Sequence, residues 1–325
     1  MSSKIRVAVG QMCSSSNVKG NSHIVSKLID RAIELRAKVL FLPEASDYIS
    51  RDASHSVQLA KKTKSDFIDI ISEKLKNVHS TDPLNSLSVA VGVHEPTSGE
   101  NAERKVQNNQ LWISSSGEVE HRYQKIHLFD INIPNGPILQ ESKSVEAGNK
   151  ILDPFPLCKN LHPDFKVGLS ICYDIRFPEL SNRLREKGAN ILTYPSAFTT
   201  RTGEAHWLEL GRARAIDSQC YVVMAAQCGE HDVYADIPKI DKDSGSRSPD
   251  KRTKRISYGQ SIIIGPWGDV LAKGPTYREI SDSQGVDEEG DYYQIFDAEL
   301  DLEHLESVRI NLPVFSHKRP DVYKT

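Results

Sequence analysis

Three residues of unlike chemistry each stand where an apolar run stops. Lys166-Val-Gly-Leu-Ser-Ile reads as a buried strand closing on Cys172, Lys38-Val-Leu-Phe-Leu-Pro43 delivers Glu44, and the second arm of a hairpin, Ser116 to Tyr123, delivers Lys125. In α/β proteins ligands bind beyond the carboxyl ends of strands, so an acid, a cation and a thiol placed there define a site with a geometric basis. Cys172 as a thiolate would attack a carbonyl. Glu44 would accept the thiol proton, pass it to the leaving amine and later activate water against the thioester. Lys125 would hold the oxyanion together with the backbone N–H of Tyr173. After Cys172 the chain reads as a helix start, with Pro178 in the first turn and Glu179 at the positive end of the dipole. Nearby N–H groups, that dipole and a cationic neighbour predict a thiol pKa below its ordinary value of about 8.5. Each residue alone has a plain alternative: Glu44 could cap a helix, Lys125 could be a solvated lysine, and Cys172 could simply fill core.

Positioning these groups falls to an alternation of strands and helices. Lys4 to Gly10 predicts a first strand, Ile24, Leu28, Ala32 and Leu35 the inner face of a helix, and Phe67, Ile70, Ile71 and Leu75 a second helix. Leu87 to Val93 is a third strand, and Asn109 to Ser114 with Ser116 to Tyr123 makes the hairpin, turning at Ser115-Ser116-Gly117. Beyond Cys172 the pattern gives a helix over Pro178 to Glu186, a strand over Ala189 to Pro195, a helix over Glu204 to Asp217 and a strand over Cys220 to Ala226. A hairpin over Ser261 to Ala272 turns at Gly265-Pro-Trp-Gly268, Tyr292 to Phe296 is a last strand, and Leu302, Leu305 and Val308 mark a final short helix. Buried strands alternating with helices along the whole length indicate an α/β fold, most economically one domain over 1–325. Two stretches fall outside any core. The polar run 238–257 predicts a surface insertion, its basic cluster Lys251 to Arg255 a solvated patch, and the aromatic tail from about 313 should pack on the body or on a partner subunit.

Composition narrows the partners. With 41 Lys+Arg against 44 Asp+Glu the net charge is −3, which offers no footprint for nucleic acid or an anionic membrane. No apolar run approaches the roughly 20 residues of a spanning helix, and Met1-Ser-Ser-Lys-Ile-Arg leads into a strand without a signal-peptide apolar region. A small-molecule substrate and a cytoplasmic chain are expected. The 5 cysteines, Cys13, Cys158, Cys172, Cys220 and Cys228, are odd in number and lack paired spacing, so they read as free thiols. No spacing of His, Asp or Glu suggests a metal, none of the patterns asks for a cofactor, and His127 and His206 read as hydrogen-bonded structure.

Phe41-Leu-Pro-Glu-Ala-Ser46, Tyr123-Gln-Lys-Ile-His-Leu-Phe129 and Ser170-Ile-Cys-Tyr-Asp-Ile-Arg-Phe-Pro-Glu179, in that order, resemble the three signatures of the nitrilase superfamily, the carbon-nitrogen hydrolases. The resemblance runs from the first strand to Arg319-Pro-Asp321. It implies a four-layer α-β-β-α sandwich and a homodimer formed through the helices after the cysteine, with the tail crossing to the other subunit. It also implies the roles above for Glu44, Lys125 and Cys172, and a second glutamate supporting the lysine, for which Glu141 of Glu141-Ser142 is the match. Leu192-Thr-Tyr-Pro-Ser-Ala-Phe198 and Ala225-Ala-Gln-Cys-Gly229 are similar to the Nit amidases, which hydrolyse the side-chain amide of 2-oxo acids. Within that branch the Pro-Ser-Ala-Phe and Gln-Cys-Gly stretches favour deaminated glutathione, as in fungal members, over 2-oxoglutaramate, with release of ammonia expected. A substrate with two carboxylates wants a bidentate cation near the nucleophile, and Arg176 is placed for it, although it could instead pair with Glu179. Tyr48, Phe198 and Thr199, just past strand ends, are expected to line the pocket. Tyr258-Gly-Gln-Ser261 and Gly265-Pro-Trp-Gly268 depart from the family's usual Tyr-Gly-His-Ser and Asp-Pro-Trp-Gly, which puts only a local loop hydrogen bond and fine substrate preference in doubt.

Overall fold

The period-2 pattern of the first strand already separates two cores. A computed structural model describes residues 3–132, 138–158, 162–237, 254–280, 285–288 and 290–323. In β1 (Lys4–Met12), Ile5, Val7 and Val9 join one buried cluster while Ala8 and Met12 join another. The same split recurs in β2 (Val39–Phe41), where Val39 and Phe41 face one core and Leu40 the other. A strand apolar on both faces must be covered on both, and it is.

The first sheet runs β12-β1-β2-β3-β4-β5, with β3 Ser88–Pro96, β4 Val106–Ile113, β5 Val119–Gln124 and β12 Tyr293–Asp301, and Val145–Glu146 pairs with β4. Its outer face carries α1 (Val18–Glu34), α2 (Ala53–Thr63) and α3 (Asp69–Thr81), whose Leu28, Leu59 and Ile71 share a core with Leu40, Val91 and Leu111. Its inner face meets the second sheet, β11-β10-β9-β8-β7-β6, comprising β6 Phe155–Cys158, β7 His162–Gly168, β8 Ile191–Thr193, β9 Tyr221–Met224, β10 Ile262–Ile264 and β11 Val270–Lys273. Phe41 and Trp112 of the first sheet and Val167, Leu192 and Val222 of the second lie in one cluster. On the far side lie α4 (Pro178–Glu186) and α5 (Thr200–Ser218), and a Cβ at Gly211 of α5 would come within 2.3 Å of Met224 Sδ, so glycine lets this helix sit directly on the sheet. The four layers are helix, sheet, sheet, helix, as the resemblance implied.

Differences from the pattern reading are local. Helix α2 was not anticipated, because its polar residues mask the stripe made by Val57, Leu59 and Ala60; it runs through a π-helical turn at Lys64–Ile68 into α3. The apolar run before Cys172 leaves the ladder at Gly168, and Leu169 to Ile171 are buried without pairing. Of the expected insertion 238–257, residues 238–253 lie outside the described residues. The tail turns at Val314–His317 and lies on α4 of its own chain, with Phe315 under Arg185 at 4.8 Å and Lys318 bound to Glu186 at 3.1 Å. Among the described residues no helix is long and apolar enough to cross a membrane.

Candidate active site

Four chain segments end at one cavity. Glu44 follows β2 and Pro43, and the approach to the next strand is so close that a Cβ at Gly92 would fall 2.5 Å from the Glu44 Cα. Only glycine fits there. Lys125 follows β5, its N–H donating to the Asn108 carbonyl at 2.9 Å. Cys172 opens a 3₁₀ turn, Cys172–Arg176, and its N–H donates to the Pro195 carbonyl at 3.0 Å. Its φ of 47° puts a non-glycine residue in the left-handed region, a conformation that turns the thiol out of the strand line. Glu141 opens the turn Glu141–Lys143.

The side chains converge. Lys125 Nζ donates to Glu44 Oε1 at 2.9 Å and to Glu141 Oε1 at 2.8 Å, lodged between two carboxylates with 2% of its side chain exposed. Glu44 Oε1 also accepts from Asn108 Nδ2 at 2.8 Å, Oε2 accepts from the Ala197 N–H at 3.0 Å, and the carboxylate lies close enough to the Cys172 thiol for each to shift the other's pKa. Glu141 Oε2 accepts from the Phe129 N–H at 2.7 Å, which fixes the second carboxylate. The backbone behind Glu44 is held by Gln227, whose Nε2 donates to the carbonyls of Glu44 at 3.1 Å and Ala45 at 3.0 Å.

A second set of bonds fixes the turn that presents Cys172. Buried Asp174 accepts from the Ile171 N–H at 2.8 Å, the Tyr123 hydroxyl at 2.7 Å and the His127 N–H at 3.2 Å, with His127 Nδ1 at 2.7 Å. The residues flanking Lys125 are thereby tied to the cysteine turn, and His127 is structural, as its sequence context suggested.

Charge follows burial and partners. Burial alone would raise the Glu44 carboxyl, but the Lys125 charge and the hydrogen bonds from Lys125, Cys172 and Asn108 outweigh it and hold Glu44 below the ordinary carboxylate value. Burial opposes the charge on Lys125, yet Glu141 and Glu44 push its pKa well above that of a free lysine. The Cys172 thiol is pushed well above its ordinary value, first by burial and then by the Glu44 charge, with Lys125 opposing. This corrects the sequence expectation of a lowered thiol. The dipole that was to lower it belongs to α4, which begins only at Pro178, and the adjoining carboxylate disfavours a second anion. The Cys172 thiol is therefore neutral, beside a charged carboxylate.

The cavity, of about 1190 Å³, is lined by Glu44, Lys125, Glu141 and Cys172 and also by Tyr48, Tyr173, Arg176, Phe198 and Thr199. Two of the last group spend their polar atoms on structure: the Tyr48 hydroxyl donates to the Ser56 carbonyl at 2.9 Å, and Thr199 caps α5. Arg176 does not pair with Glu179. Its guanidinium meets His206 Nδ1 at 3.1 Å and lies 6.0 Å from the ring centres of Tyr173 and Phe198, with no carboxylate partner among the described residues. Pattern reading missed Asn108 and His94, both in the cavity wall, and Gln227 behind it. Asn108 carried a signal: with Gln110 it places amides on the β4 face that also holds Trp112, where an apolar core was due. Its buried Oδ1 has no hydrogen-bond partner among the described residues.

Comparison with known proteins identifies the family and the fold. The carbon-nitrogen hydrolase family model matches residues 6–309. The "Probable hydrolase nit2" of Schizosaccharomyces pombe is 40% identical over 319 residues, 98% of each chain. The "Deaminated glutathione amidase" of Mus musculus is 37% identical over 317 residues, 98% of this chain and 84% of its own. Among solved structures, the NitFhit protein of C. elegans matches with a TM-score of 0.79 at 34% identity, over 99% of this chain and 67% of that one.

Proposed function

This chain belongs to the carbon-nitrogen hydrolase family and is an amide-hydrolysing enzyme, and from that premise we propose that it cleaves the side-chain amide of deaminated glutathione through a Cys172 thioester. The observation that carries the reading is the convergence of one thiol, one ammonium and two carboxylates at the wall of a single cavity. As Cys172 Sγ bonds to the amide carbon, its proton passes to Glu44 and the carbonyl electrons move onto oxygen. Lys125 Nζ and the Tyr173 N–H, which has no acceptor among the described residues, stabilise that oxyanion. Collapse breaks the C–N bond as Glu44 returns the proton to nitrogen. Water then attacks the thioester while Glu44 takes its proton, and collapse returns that proton to the departing sulfur. Glu141 keeps Lys125 charged and in place.

The chemistry of this substrate corrects one expectation. Its side-chain amide nitrogen belongs to a peptide, so cleavage frees a dipeptide amine; ammonia comes only from an unsubstituted amide such as 2-oxoglutaramate. A cavity of about 1190 Å³ is roomier than the roughly 300–1,000 Å³ of most ligand sites, which favours the longer substrate. Two further points belong to the same reading. The described cysteines are all unpaired, in keeping with a reducing cytoplasm, and the working form is a homodimer built on the helices after Cys172. The test is turnover of both substrates side by side, reading dipeptide amine and ammonia. Faster cleavage of the peptide-extended amide is expected; if 2-oxoglutaramate is turned over far faster, the substrate assignment is wrong.

A further inference from the structure

The cavity wall carries two guanidinium groups with no ion-pair partner among the described residues, and they are not near one another in the chain. Arg176, four residues past Cys172, lines the same cavity, and among the described residues its side chain hydrogen-bonds only to a histidine ring nitrogen. Arg255 stands exposed at the mouth, and its hydrogen bond goes to a backbone carbonyl, that of Ser50, at 2.6 Å. The other cations of the mouth are neutralised: Lys254 pairs with Glu230 at 2.8 Å, and Arg51 lies 3.6 Å from Asp236 and 3.9 Å from Asp52. Asp52 also acts on Arg255 through space but makes no ion pair with it.

The backbone ties the segment that carries Arg255 to the wall beside Glu44. Tyr258 donates to the Phe198 carbonyl at 2.9 Å, and Ser257 bridges Thr199, so the strand Ile256–Tyr258 is stitched to the wall that also supplies the Ala197 N–H to Glu44. Arg255 lies three residues beyond Tyr258, about 10 Å along an extended strand. The two residues released from deaminated glutathione span at most about 7 Å, and a guanidinium reaching back covers the remainder.

We propose that Arg255 is the specificity-determining residue for the peptide arm: it binds the C-terminal carboxylate of the leaving dipeptide while Arg176 holds the 2-oxo acid carboxylate at the inner end. This rests on the substrate reading above and adds a second anion pocket to it. A short substrate such as 2-oxoglutaramate carries no group that reaches Arg255, so the residue separates the two activities. A hydrogen bond between two charged groups resists loss more than a neutral one, and a carboxylate is met in fork geometry by arginine better than by lysine.

The experiment compares kcat/KM for deaminated glutathione, for the same compound with its C-terminal carboxylate converted to an amide, and for 2-oxoglutaramate, using wild type, Arg255→Gln and Arg255→Lys. In wild type, blocking the carboxylate should raise KM. In Arg255→Gln, the ratio of kcat/KM for the peptide over 2-oxoglutaramate should fall about ten- to hundredfold, carried by KM, and the free and blocked peptides should become equivalent. Arg255→Lys should recover part of the ratio. A ratio within about twofold of wild type in Arg255→Gln, or a parallel loss for all three substrates, overturns the proposal. Failure of the underlying substrate reading shows separately, in wild type, as cleavage of 2-oxoglutaramate without cleavage of either peptide.

Discussion

Glu44 and Lys125 keep each other ionised where neither could stay charged alone. Removing water from one buried ion costs several kcal/mol, and only a close partner with further hydrogen bonds offsets it. Glu44, lowered below the ordinary carboxylate value of about 4.3, contributes stability that is present above that value and lost as pH falls through its lowered pKa. Lys125, raised above about 10.4, contributes stability that is present below that value and lost as pH rises through its raised pKa. The pair is therefore charged across the neutral range. With Glu44 as the base, the acid limb of kcat/KM lies below about pH 4.3, measured with 2-oxoglutaramate in buffers of constant ionic strength; a limb centred near 6.5 would instead assign proton transfer to a histidine. At this scale the sequence was informative about residue type. Glu44, Lys125, Cys172 and Glu141 all stand in distinctive local motifs. Asn108, which touches both carboxylates, does not, because its role depends on the segments after other strands that fold over it.

The turn holding Cys172 depends on Asp174 more than on any helix. One buried carboxylate accepts from Ile171 just before the cysteine, from Tyr123 at the end of β5 and from His127, so it joins the thiol's segment to the lysine's. Asp174→Asn keeps the shape but offers an NH₂ where a donor must be accepted. It should cost about 3 kcal/mol in urea unfolding, since hydrogen bonds to charged groups contribute about 1.5–3 kcal/mol each. It should also lower kcat while leaving KM for 2-oxoglutaramate nearly constant. Full stability in that variant would show that the turn is held by packing. Most elements could be read from the sequence because their periods were clean: both hairpins turn where expected, at Ser114–Glu118 and at Gly265–Asp269. Two features resisted. Helix α2 is mostly polar, and the thiol pKa depends on which neighbours the fold brings near, which no linear pattern contains.

At the level of the whole molecule, two sheets packed face to face do what no single segment does. Positions 44, 125 and 172 are far apart in the chain, and each sheet supplies strand ends to one cavity: β2 and β5 from the first, β7 and β8 from the second. The homodimer proposed here leaves α4 and α5 as the shared face, with Ile216 of α5 exposed in the isolated chain. Light scattering on the purified protein should give twice the mass of one chain, and Ile216→Glu should shift it toward the monomer; a wild-type monomer at micromolar concentration would remove that interface. The central claim, that these distant residues form one reaction centre with Cys172 as nucleophile, is tested most directly by amide turnover in Cys172→Ser, with substrate binding followed by calorimetry. A loss of at least about 10⁴-fold in kcat with binding retained is expected. Turnover within tenfold of wild type would contradict it.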